Sequence, residues 1–166
     1  MTRPRALLAF GLLMAAVAQA QTWDLATSTH ATTGDAIVFR YLDQFADGFD
    51  KATQPQRIII TWRYDGTRGQ PSREERTRMD ALEDALIPAV EKNGFATLAL
   101  VSTGDNLREW IWYAKSEAEF FDRLNRALRK LQRFPIDIHS APDPEWKSYQ
   151  DFKTGLAASP EGGRKN

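Results

Sequence analysis

From Arg57 onward the spacing of apolar residues switches between a period of two and a period of 3.6, and this switching constrains the fold more than anything else in the chain. Arg57 to Tyr64 puts Ile58, Ile60, Trp62 and Tyr64 on one face and Arg57, Ile59, Thr61 and Arg63 on the other, as a strand does. Asp65-Gly66 and Gly69-Gln-Pro71 break it. Ser72-Arg-Glu-Glu75 then reads as a capping box: the Ser72 hydroxyl can accept the Glu75 N–H, and the Glu75 carboxylate can reach back to the Ser72 N–H. The helix it opens carries Met79, Leu82, Leu86 and Val90 on one stripe and stops at Asn93-Gly94. Pro88 removes a donor and crowds the carbonyl of Asp84, which predicts a kink or an early end.

Phe95–Thr103 and Arg108–Ala114 are two further strands, joined tightly through Gly104-Asp-Asn106 as a hairpin. A second capping box, Ser116-Glu-Ala-Glu119, opens a helix predicted to reach about Arg133, with Phe120, Leu124, Leu128 and Leu131 as its buried stripe. Phe134-Pro135 closes it, and Ile136–His139 is a last short strand. The order strand, helix, strand, strand, helix, strand predicts an α+β two-layer sandwich with a ferredoxin-like βαββαβ core. Its sheet would be antiparallel in the order 4-1-3-2, with Arg57–Tyr64 and Arg108–Ala114 central and both helices on one face. Upstream, Trp23–Ala26 and Ala36–Tyr41 are strands that extend the sheet or cover its other face, and residues 43–55 read as loop. Downstream, Glu145–Phe152 has room for one or two helical turns, and Gly155–Asn166 is expected to be a disordered tail. The single domain is expected to span residues 21–154. A sheet face left apolar and open would need a lid or a partner.

The N-terminus reads Met1-Thr-Arg-Pro-Arg, then an apolar run from Ala6 to Ala18, then Ala18-Gln-Ala20. A basic start, a short apolar stretch and a small-x-small site predict a signal peptide over residues 1–20, cleaved between Ala20 and Gln21. The run is shorter than the ~20 residues of a stable span. The product is therefore expected to be periplasmic or secreted, with no membrane span in the mature form. Removing Arg3 and Arg5 with the leader leaves 20 basic against 22 acidic residues, a net of −2, so the domain has no global pull on nucleic acid. With no Cys, disulfides, thiolate nucleophiles and thiolate metal sites are excluded. No nucleophile elbow, phosphate loop or dinucleotide fingerprint occurs, and no cofactor is implied.

Several landmarks occur together: Ile60-Thr-Trp-Arg-Tyr64, Pro71, Leu82-Glu83, Leu98-Ala-Leu-Val-Ser-Thr-Gly104, Arg108-Glu-Trp-Ile-Trp-Tyr113, Pro135-Ile-Asp-Ile138 and Asp143-Pro-Glu-Trp-Lys-Ser-Tyr149. In this order and spacing, from about Ala36 to Tyr149, the chain resembles the bacterial family known as domain of unknown function 695. That resemblance implies no substrate, cofactor or catalytic residue.

Three groups of residues are candidates for a site. Trp110 and Trp112 are two apart in a strand and share a face; with Arg108 they form either an aromatic-plus-cation stacking platform or plain core. His139, with Asp137 and Asp143, forms either a small His/carboxylate cluster or an exposed strand end with a salt link. Asp143 can cap the following turn, and Trp146 and Tyr149, three apart, either plug one end of the sandwich or form a ligand lip with Arg108. A fourth feature, Arg123, Arg126, Lys130 and Arg133, is a basic stripe for an anionic partner or a solvated helix face that its dipole favours. The main expectation is a non-catalytic binding or interaction module for a protein or small ligand of the cell envelope, with no catalytic residue and no metal assigned. The alternative is a small hydrolase built on His139 and the carboxylates. An enzyme needs a concave pocket with converging titratable groups; full burial of Trp62, Trp110 and Trp146 would remove the aromatic platform.

Overall fold

The computed structural model describes residues 20–158. The expected leader, apart from Ala20, and residues 159–166 of the expected tail lie outside the described residues. The chain folds as β1 (Thr22–Thr29), β2 (Ala36–Gln44), β3 (Gln56–Arg63), α1 (Arg73–Val90), β4 (Ala96–Gly104), β5 (Leu107–Ala114), α2 (Glu117–Leu128), β6 (Ile136–Pro142) and α3 (Lys147–Ala158). Single 3₁₀ turns at Lys51–Thr53 and Lys92–Gly94 join them. No helix among the described residues is long and apolar enough to cross a membrane.

All six strands form one antiparallel sheet in the order β1-β2-β4-β5-β3-β6. The class is α+β, as expected, but the sheet is longer than a four-stranded ferredoxin-like core and its strand order is that of six strands. β3 and β5 lie side by side in the interior, paired from Gln56 with Ala114 to Arg63 with Leu107. β1 and β2 extend the sheet beyond β4. The hairpin turn between β4 and β5 puts Asp105 (φ 51°) and Asn106 (φ 59°) in the left-handed region, the primed turn that two-residue hairpins prefer.

The pleat of β5 sorts its aromatics. Trp110 and Trp112 face α1 and α2, together with Ile58, Ile60, Trp62, Leu98 and Val101 of the sheet and Met79, Leu82, Leu86, Phe120 and Leu124 of the helices. Tyr113 faces the other way, into a second cluster with Ala99, Trp146 and Tyr149. A bulge between Leu98 and Leu100 lets Leu98 and Val101, three apart, both face the helices.

β1, β2 and β6 run past their expected ends, to Thr29, Gln44 and Pro142, and three helices also differ from the sequence expectation. α2 ends at Leu128, not Arg133. Leu131 is 45% exposed, and the chain turns so that Phe134 reaches Trp62, ring centroids 5.7 Å apart. α1 does not end at Pro88 but continues to Val90, two residues on; Asp84, whose carbonyl loses its donor, is exposed. The C-terminal turn is a 12-residue helix, α3, whose Phe152 packs on Phe39 and Tyr41 of β2 (5.2 and 5.4 Å). Its span includes Gly155 to Ala158, so that part of the expected tail is helical. The side of the sheet away from α1 and α2 thus carries its own helix, a third layer that a two-layer sandwich lacks.

Candidate functional site

The site lies where the helix-covered face of the sheet runs out from under α1. Register sets two rows across β2, β4 and β5: Val38, Thr103 and Arg108 in one, Arg40, Val101 and Trp110 in the other. Residues directly opposite in an antiparallel ladder share a face, so both rows point to the α1 side. Over this floor α1 brings Glu83, one position past the core residue Leu82, and Asp80 one turn earlier. Glu83 is 7% exposed. One of its oxygens accepts from Arg40; the other accepts from Trp110 Nε1 at 2.8 Å and from Arg108 at 3.2 Å. Asp80 meets Arg108 at 3.3 Å. A buried carboxylate left alone would be strongly disfavoured, and two guanidiniums with one indole N–H answer it here.

Beside this network opens a cleft of about 330 Å³. Val38, Arg40, Val101, Thr103 and Arg108 line it from the strands, and Gln70, Pro71 and Arg76 line it from the approach to α1 and its first turns. Three arginines therefore reach one cavity. Glu83 and Asp80 already bind Arg40 and Arg108; Arg76 is exposed and has no ion-pair partner among the described residues. The Arg108 Nε is buried without a hydrogen-bond partner. The cleft carries a surplus positive charge, and arginine presents the planar fork that carboxylate and phosphate groups match.

The opposite face holds a different construction. Asp143 is 8% exposed and no cation pairs with it among the described residues. Its oxygens accept from Tyr113 Oη (2.8 Å) and from the first backbone N–H groups of α3, Lys147 (2.7 Å) and Ser148 (3.1 Å). Burial raises its proton affinity, but the donors of Ser148, Tyr113 and Lys147 outweigh that and hold the carboxyl below its usual range. Burial, with the negative charge of Asp143, pushes the Tyr113 phenol well up. Trp146 stacks on Tyr113 at 3.8 Å, nearly parallel, and its Nε1 donates to the carbonyls of Lys51 and Gln54. It sits at φ 53°, a left-handed conformation unusual for a bulky side chain, and these contacts hold it there. Tyr149 donates to the Leu42 carbonyl. The Lys51 ammonium lies over the rings of Phe45, Tyr149 and Trp146 at 4.6, 5.5 and 5.7 Å; burial, then Lys153, lowers its pKa.

The residues singled out in the sequence thus separate. Trp62, Trp110, Trp112 and Trp146 are all buried, between 0% and 1% exposed, so these four rings offer no stacking platform to solvent. Arg108 and Trp110 belong to the α1 face and Trp146 and Tyr149 to the α3 face, so these residues do not form one lip. Asp143, Trp146 and Tyr149 form the plug instead. His139 and Asp137 are exposed on β6, while Asp143 is committed to Tyr113 and α3, so the three make no His/carboxylate cluster. Among the described residues no three His, Asp or Glu side chains are placed to hold a metal ion. Arg123 of the basic stripe is structural: it pairs with Glu119 and donates to the carbonyls of Ala89 and Lys92 at the end of α1. Sequence reasoning missed Arg40, Arg76 and Glu83. The available signal was Arg40, a charge on the same strand face as Val38 and Leu42.

No functionally curated protein matches the chain. The family of unknown function (DUF695) matches over residues 21–153, and the chain belongs to that family.

Proposed function

We propose that this protein is an exported, non-catalytic binding module whose ligand presents an anionic group to the cleft of Arg40, Arg76 and Arg108. The observation that supports it is the charge imbalance in the cleft: three guanidiniums converge and the two carboxylates beside them are already engaged. A carboxylate, phosphate or sulfate that enters takes the donors that Arg76 and the outer edges of Arg40 and Arg108 still offer, and the Thr103 hydroxyl adds another. Among the described residues that line the cleft there is no carboxylate, imidazole or amine to act as a general base, and this supports binding over turnover. Export is supported by the N-terminal sequence: the basic start, the apolar run and Ala18-Gln-Ala20. We read β3 to β6, with α1 and α2, as a ferredoxin-like unit to which β1 and β2 are added, β2 bringing Val38 and Arg40 to the cleft; the neighbour order β6-β3-β5-β4 supports this.

The test is titration of the purified protein with inorganic phosphate and with acetate at low ionic strength, followed through the arginine side-chain NMR signals and by calorimetry. The expected result is a saturable shift of Arg40, Arg76 and Arg108, and about tenfold weaker binding in Arg76→Gln, equivalent to about 1.4 kcal/mol. Unmoved arginine signals at millimolar phosphate refute it. N-terminal sequencing of the exported form is expected to begin at Gln21.

A further inference from the structure

We infer that the ligand is an amphipathic anion: its charged head sits among the three arginines and its apolar tail lies on the uncovered face of β1 and β2. This rests on the anion-binding reading of the cleft and goes further by naming the ligand class.

Among the described residues the large apolar side chains left exposed are Trp23 (37%), Leu25 (68%), Val38 (38%) and Leu131 (45%). Three of these four lie together. In the β1–β2 ladder Leu25 is opposite Arg40 and Thr27 is opposite Val38, so Leu25 and Trp23 share the face on which Val38 and Arg40 line the cleft. The Arg40 guanidinium lies 5.1 Å from the centre of the Trp23 ring and joins the patch to the cleft. The nearby acidic residues are on the other face: Asp24 is opposite Tyr41 and accepts from its hydroxyl, and Asp43 pairs with Lys153 of α3. The exposed side of β1–β2 therefore presents Trp23, Leu25 and Val38 with Arg40 along its inner border, and neither strand turns a carboxylate toward it. A polypeptide helix of ordinary mixed charge finds no cation acceptor there, whereas a hydrocarbon or aryl chain ending in an anion satisfies both halves. From β4 to β1 is two strand spacings, ~10 Å, about the length of an eight- to ten-carbon chain. We commit to a monomeric single-chain carboxylate in solution as the occupant.

The experiment is a chain-length series of acetate, hexanoate, octanoate and decanoate below their micelle concentrations, measured by calorimetry. Each methylene that becomes buried strengthens binding by up to about fourfold. Decanoate is expected to bind at least about a hundredfold tighter than acetate, in proportion to the methylenes covered. Leu25→Thr, a β-branched replacement at an exposed position that does not line the cleft, is expected to make the series shallower while acetate and phosphate bind as before. Arg76→Gln is expected to weaken every member alike. A flat series in the unaltered protein, with phosphate still bound, overturns this inference and leaves the anion-binding reading standing; absence of both overturns both. Decanoate binding that ignores Arg76→Gln also overturns it. So does a dimer by light scattering that Leu25→Thr dissociates, which assigns the face to a second copy. Tighter association with anionic vesicles than with dissolved decanoate at equal concentration overturns the choice of source.

Discussion

Glu83 and Asp143 are buried to nearly the same degree, 7% and 8% exposed, on opposite faces of one sheet, and they are neutralised by opposite means. Glu83 is surrounded by charge: Arg40, Arg108 and, through Arg108, Asp80. Asp143 is surrounded by dipoles: one phenol and two backbone N–H groups at the start of a helix. Backbone N–H groups cannot be drawn away, so Asp143 fixes α3 to the sheet. An arginine on the rim of an open cleft can exchange partners; the Arg40 side chain is still 38% exposed. A carboxylate held by dipoles builds the fold, and one held in part by a half-exposed cation leaves charge available to a ligand.

The largest expected effect is at Asp143. Replacement by Ala leaves a buried phenol and two helix-terminal N–H groups without an acceptor, and denaturant unfolding is expected to show a loss of about 3–4 kcal/mol. Glu83→Gln should cost less, about 2 kcal/mol, because water in the cleft can solvate the arginines it releases. The same change removes a negative charge from the cleft, so phosphate is expected to bind severalfold more tightly. Stability and affinity then move in opposite directions. If Glu83→Gln destabilises as much as Asp143→Ala and leaves phosphate binding unchanged, the contrast between the two carboxylates is wrong.

The α3 plug and the cleft were unequally legible in the sequence. Asp143, Trp146 and Tyr149 stand within seven residues, and cap logic alone gave the plug as one of two readings. The length of α3 was not legible, because Gly155 reads as a breaker; burial of Tyr149 and the ring contacts of Phe152 with β2 come from the tertiary fold. The cleft is assembled from β2, β4, β5 and α1, and only the β2–β4 pairing brings Arg40 to Glu83, 43 residues away. Local period shows the face of a strand but not its neighbour. The same limit affected the capping boxes. The hydroxyls of Ser72 and Ser116 do accept from Glu75 and Glu119, at 3.1 and 3.4 Å. The two carboxylates turn instead to Arg78 and Arg123, three and four residues ahead on the same helix. The alternation of Ile58, Ile60 and Trp62 was the most legible element, since every member of that stripe is fully buried.

Acid sharpens the comparison further. The Asp143 carboxyl is held below its ordinary value in the fold, so the unfolded chain takes up its proton first. Its stabilising contribution is complete above the unfolded value of about 4 and is lost as pH falls through the folded one. Unfolding free energy measured from pH 6 down to pH 2 is expected to fall for the native protein below about pH 4. In Asp143→Asn that part of the slope should vanish, from a lower starting stability.

The smallest effect is at a third carboxylate with neither device. Glu91 follows α1, and one of its oxygens accepts the Leu98 N–H at 3.0 Å; no cation pairs with it among the described residues. Burial raises its proton affinity, the Leu98 N–H offsets part of that, and the charge of Glu83 adds to it. The sign is the reverse of Asp143: the fold binds this proton more readily than the unfolded chain does, so ionised Glu91 costs stability at neutral pH and that cost fades as the medium becomes acid. Glu91→Gln keeps an amide oxygen for Leu98 and removes the charge. It is expected to stabilise the protein by under about 1 kcal/mol at pH 7 and to match the native protein near pH 3, below the ordinary glutamate value of about 4.3, where Glu91 is protonated in both states. Paired denaturant curves at the two pH values give the difference directly. One donor is then too few to hold a partly buried carboxylate, three donors are enough at Asp143, and two arginines achieve the same end in a form that a ligand can use; destabilisation by Glu91→Gln at pH 7 would break that ranking.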